Sequence, residues 1–162
     1  MFHRILLAID SSAAGPVAIS FTIPLATPGA RVHVVHINQY QVSGRGTTVE
    51  SVQEAARLVR DAVSELRAAG VPATGLAATA TCFGVADRIV MESERWSADA
   101  IVLGSRRHRG ARRLLRQGVR GRVTRLSQLP VLTAPAPLRV SSRPGRAGLP
   151  PRPRHGRSPI SS

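Results

Sequence analysis

At 162 residues the chain suits one domain and leaves little room for a second; with 43% hydrophobic but only 3% aromatic residues its core must be aliphatic, and no apolar run approaches the ~20 residues of a membrane helix. The formal charge of +14 is uneven: residues 1–103 carry eight Arg against nine acids, 104–125 nine Arg and no acid, and 139–162 six Arg and no acid, with no Lys anywhere. A single cysteine, Cys82, excludes an internal disulfide and a multi-cysteine metal site.

Arg4–Ile9 is a short apolar run that reads as a fully buried strand. It ends in Asp10 with no small-residue cleavage site behind it, so it is read as a strand and not as a secretory signal, and a cytoplasmic location is expected. A helix follows, with Pro16 in its first turn and Pro24 shortening or kinking it before about Leu25. Arg31–Ile37 is β-branched and reads as a second strand; Asn38–Val49 is polar and reads as a loop. In Glu50–Ala69, Val52, Ala56, Val59, Val63 and Leu66 recur at helical spacing and predict one buried face, with Gly70 at the C-terminal cap.

Ala73–Thr81 reads as a third strand, and Val85–Trp96 as a helix with Ile89 and Val90 facing inward. Ala98–Leu103 is continuously apolar, as central parallel strands are. A helix from about Gln117 to Gln128 presents Val119, Val123 and Leu126, and Pro130–Ala134 is a short fifth strand. Strands alternating with helices imply right-handed crossovers and a doubly wound, five-stranded parallel sheet in one α/β domain over residues 1–135. A ligand crevice belongs beyond the carboxyl ends of the strands where their order reverses, which brings Asp10, Ile37 and Gly104 together. Residues 136–162 form a basic tail rich in Pro and Arg, too poor in apolar residues to offset its ordering entropy, and disorder is expected there.

Four segments in register resemble the universal stress protein family: ILLAIDSS, VHVVHI, SADAIVLGSR and RRLLRQGVRGRVTRLSQLPVL. The resemblance covers roughly residues 1–134 and implies an adenine-nucleotide alpha-hydrolase-like, Rossmann-like fold, with ATP or a related nucleotide as ligand and Mg²⁺ or Mn²⁺ on its phosphates. It also implies that Ala8, Ile37 and Leu103 stand at family-equivalent positions of the nucleotide pocket, and that Asp10 lies by the ribose or base. Asp10 is equally suited to capping the turn that follows it.

Nucleotide-binding members of the family carry Gly, two residues, Gly, nine residues, then Gly followed by Ser or Thr. Such glycines let backbone approach phosphates, and the hydroxyls and a helix N-terminus hold the anion. Here Gly104 matches the first Gly, Arg107 replaces the second, Gln117 the third, Gly118 the Ser, and Arg120 the second hydroxyl residue, while Val119 and Val123 hold the register. Taking Gly118 as a displaced third Gly needs an inserted residue and spoils that match. Either Arg107 and Gln117 fill the site, or the Arg side chains clamp phosphate directly. The gapless alignment predicts weak ATP binding, because two hydroxyl bonds are lost at about 1.5–3 kcal/mol each.

The leading reading is therefore a stress-response or signalling module with a degenerate nucleotide site and no catalytic turnover, since no acid–base or nucleophilic set is visible. The alternative is an Arg-rich polyanion or nucleic-acid binder on the same scaffold, using a stripe of Arg106, Arg109, Arg113, Arg116 and Arg120. No aromatic residues interleave with that stripe, so base stacking is unsupported. The five histidines show no metal-ligand spacing, and Cys82 reads as an inert thiol. The resemblance also implies a homodimer through the last strand, with Pro135 and Pro137 limiting the shared ladder.

Overall fold

The apolar run that opens the chain becomes a central strand, with hydrogen-bonded partners on both sides. In the computed structural model, residues 2–12, 14–41, 47–48, 50–104 and 112–136 are described, and for Gln41, Thr47, Thr48 and 112–117 the backbone alone. Strand β1 is Phe2–Ile9, and its Ile5, Leu6 and Leu7 are wholly buried. Helix α1, Ala14–Thr22, passes into a 3₁₀ turn at Ile23–Leu25, where Pro24 cannot donate the next helical bond.

Strand β2 runs over Ala26–Gln41, far beyond the apolar Arg31–Ile37. The expectation of a loop from Asn38 is thereby corrected. β4, Ala73–Thr81, pairs with β2 in parallel from Val32↔Ala73 to Tyr40↔Thr81, so backbone pairing carries the strand through polar residues. Thr47–Thr48 returns as β3, antiparallel to Tyr40 and Gln41. Tyr40 already pairs with β4 on one edge, so β3 occupies the other, just past the end of β1.

Helix α2, Val52–Ala68, starts on a capping box: the Ser51 hydroxyl accepts from the Glu54 amide at 3.2 Å, and Glu54 Oε2 accepts from the Ser51 amide at 2.8 Å. It ends before Gly70, whose φ of +80° is the left-handed cap that glycine adopts without strain. Its buried face is Ala55, Val59, Ala62 and Leu66, rotated from the expected one, and Val52 is 69% exposed. α2 lies close on the sheet at Gly75, where an added Cβ would stand 2.3 Å from Val59 Cγ1 and 3.0 Å from Val63 Cγ2.

Helix α3 is Val85–Arg95, with Ile89 and Val90 buried, and β5 is Ala100–Leu103, buried throughout. Helix α4, Arg112–Leu126, begins five residues before the expected Gln117, and β6 is Val131–Thr133. Val123 is fully buried, but Leu126, expected on the same face, is exposed. It is the last residue of α4, and Leu129 and Val131 pack beyond it instead.

The parallel strands lie in the order β4-β2-β1-β5-β6. One core joins Ile5, Leu7, Val32 and Val34 to α1 and α2; the other joins Leu6, Val35, Ile101 and Leu103 to α3 and α4. Two helices on each face, with β1 and β5 adjacent, is the doubly wound five-stranded α/β arrangement, and strand order reverses between β1 and β5. Among the described residues no helix is long and apolar enough to cross a membrane.

Candidate functional site

At the carboxyl ends of the paired strands β1 and β5, α3 and α4 border a cavity of about 110 Å³, room for a small ring system and not merely for a water. Its floor is aliphatic. Ala8 and Leu103 are register partners on β1 and β5, and Val35 and Ile37 come from β2. Val85 and Ile89 of α3 and Val119 of α4 form the facing wall. Asp10, Gln39 and Arg120 bring in polar side chains, and Gly104 lies where β5 ends. Among the described residues the lining holds one carboxylate, one amide and one guanidinium, and no histidine, cysteine or hydroxyl.

Asp10, Ile37 and Gly104, far apart in sequence, thus line one cavity. Asp10 Oδ1 accepts from the Ser12 amide at 3.0 Å and from the Ser12 hydroxyl; that hydroxyl accepts from the Ala14 amide at 3.2 Å. Asp10 therefore organises the turn into α1 and borders the cavity as well, so its two sequence readings are compatible. An added Cβ at Gly104 would stand 3.6 Å from Ala14 Cβ, ordinary contact, so the described residues leave room for a methyl there.

Of the other family-equivalent positions, Arg120 lines the cavity and Gly118 sits exposed on α4 away from it. Arg107 lies outside the described residues, as does the Gln117 side chain. So do Arg106 and Arg109 of the basic stripe, whereas Arg113, Arg116 and Arg120 fall on α4. The tail beyond residue 136 is outside them too. The sequence reading ends the strand at Ile37 and so misses Gln39, and it assigns Ile89 to the core alone. Two-residue periodicity continued from Val35 and Ile37 is the signal that would have found Gln39.

Two polar clusters flank the site. Arg122 of α4 pairs with Asp87 of α3 at 2.9 Å, a half-exposed bridge across the wall worth at most about 1 kcal/mol. On the opposite sheet face, buried His36 meets the Ile9 carbonyl at 3.1 Å through Nδ1 and Glu50 Oε2 at 2.8 Å through Nε2. Asn38 Nδ2 donates to the Glu50 carbonyl at 2.7 Å, and together these contacts tie the start of α2 to the end of β1. Midway along β2, His33 stacks on Trp96 at 5.4 Å and reaches Thr74 at 2.8 Å. Burial holds the His33 imidazole below its ordinary value, and the Glu92 carboxylate opposes that in part. Trp96 serves packing, with the Arg4 guanidinium 4.6 Å from its ring centre. Among the described residues no group of three or more His, Cys, Asp or Glu could hold a metal ion.

A sequence model of the universal stress protein family matches residues 1–135. The chain belongs to the universal stress protein family. Solved universal stress proteins share its fold. One from Archaeoglobus fulgidus is 26% identical with a TM-score of 0.65, over 83% of this chain and 100% of that one. The universal stress protein from Archaeoglobus fulgidus in complex with dAMP is 26% identical with a TM-score of 0.61, over 82% and 97%. A family member from Burkholderia pseudomallei is 24% identical with a TM-score of 0.65, over 83% and 96%. Among curated proteins no relative matches.

Proposed function

We propose that this universal stress protein is an adenine-nucleotide-binding signalling module that holds the nucleoside in the switch-point cavity, grips phosphate weakly and turns nothing over. The observation that carries this reading is the aliphatic slot bounded by Ala8, Ile37, Leu103 and Val119, with Asp10 and Gly104 at its rim. Its support is that a relative of the same fold, 26% identical, was solved in complex with dAMP. Arg107 and Gln117 stand where nucleotide-binding members keep glycine, so phosphate meets side chains where family members offer backbone. Mg²⁺ or Mn²⁺ would enter with the phosphates.

Calorimetric titration with Mg²⁺–ATP, AMP and adenosine tests the reading. Dissociation constants for ATP at or above the high micromolar range are expected, with ATP gaining little over adenosine. Low-micromolar ATP binding refutes the weakened phosphate grip. The double variant Arg107→Gly/Gln117→Gly should raise ATP affinity and leave adenosine unchanged. We also propose a homodimer through β6, whose ladder with β5 reaches Ala134 before Pro135. Sedimentation showing a monomer at high micromolar concentration refutes it.

A further inference from the structure

The polar side chains of the cavity are unequal in what they have left to offer. Asp10 and Arg120 are both engaged with protein groups. Gln39, half-buried on the same face of β2 as Val35 and Ile37, makes no side-chain hydrogen bond to another described residue. Its amide carries an acceptor and a donor side by side, set against aliphatic walls. Phosphate is acceptor-only and does not match such a pair; the edge of a neutral heteroaromatic ring does.

Sheet order gives the direction. Gln39 is on β2 and Gly104 ends β5, with β1 between them. At about 4.8 Å per strand the two ends of the cavity are about 10 Å apart. With phosphate directed to the Gly104 end, the base falls at the Gln39 end, between Ile37 and Ile89.

The geometry points to Gln39 as the residue that reads the base, accepting from the exocyclic amine of adenine and donating to an adjacent ring nitrogen. The assignment rests on the nucleotide reading above. It concerns base selectivity, which the altered phosphate positions do not touch.

The test compares adenosine with purine riboside, which lacks only the exocyclic amine, by NMR titration of the full chain. The wild type should prefer adenosine by about tenfold, the lower part of what a bidentate base contact supplies. Gln39→Leu should bring that ratio to about one. Gln39→Glu, nearly isosteric and able to accept but not donate, should retain part of the preference and serves if the Leu variant does not fold. Wild-type preference near one, or preference kept in both variants, overturns the assignment while leaving the nucleotide reading intact. No adenosine binding at millimolar concentration overturns both.

Discussion

Gly75→Ala tests the account of how α2 seats on the sheet. An added Cβ would lie 2.3 Å from Val59 Cγ1, 3.0 Å from Val63 Cγ2 and 3.3 Å from the Val34 carbonyl. Valine in a helix has essentially one χ1 rotamer, and Val59 is buried against the core, so it cannot swing away. The helix must shift, at a cost of about 1–3 kcal/mol. Against this, replacing a strand glycine by alanine returns about 0.5–1 kcal/mol of backbone entropy. Overpacking wins, and a net loss of about 1–2 kcal/mol is expected. At Gly104 the same methyl meets nothing closer than 3.6 Å among the described residues, and Gly104→Ala should be neutral or slightly stabilising. Urea unfolding measures both as midpoint shifts at constant slope. Adding Val59→Ala to Gly75→Ala should recover part of the loss, because the two residues share one space. If Gly75→Ala unfolds no earlier than Gly104→Ala, or Val59→Ala brings no recovery, the close seating of α2 is refuted.

Ser51→Ala removes the hydroxyl acceptor for the Glu54 amide and should lower stability by about 1 kcal/mol in the same assay. The backbone and side-chain hydrogen bonds from Ser51 hold the Glu54 carboxyl below its ordinary value, so its contribution is present above about pH 4.5 and is lost as pH falls further. His33 also has a lowered folded-state value, so the unfolded chain takes up its proton first. Stability from this group is full above about pH 6.5 and falls as the pH drops below that; His33→Phe, which keeps the ring against Trp96, should flatten the dependence by comparison with wild type. Gly104→Ala, harmless to the fold, should weaken AMP more than adenosine in calorimetry if phosphate approaches that backbone.

Much of the architecture is legible in the sequence because burial on both faces writes continuous apolar runs. Ile5–Leu7 and Ala100–Leu103 could only be central parallel strands, and their alternation with helices implied where strand order would reverse. From that reversal the meeting of Asp10, Ile37 and Gly104 followed without coordinates. Periodicity alone could not choose between neighbouring stripes of α2, since Val52 looked a better core residue than Ala55; the way the helix lies on the sheet decided it, burying Ala55 and leaving Val52 exposed. Nor could hydropathy carry β2 past Ile37. Hydrogen bonding to β4 extends it through Asn38, Gln39 and Tyr40, because a strand needs partners for its backbone more than it needs apolar side chains. The sequence by itself therefore determined the family, the order of elements and the end of the sheet at which the cavity opens. Only the tertiary structure decided that Gln39 joins Asp10 at that cavity, because the strand that carries Gln39 past Ile37 is held by pairing with a strand some forty residues further along the chain.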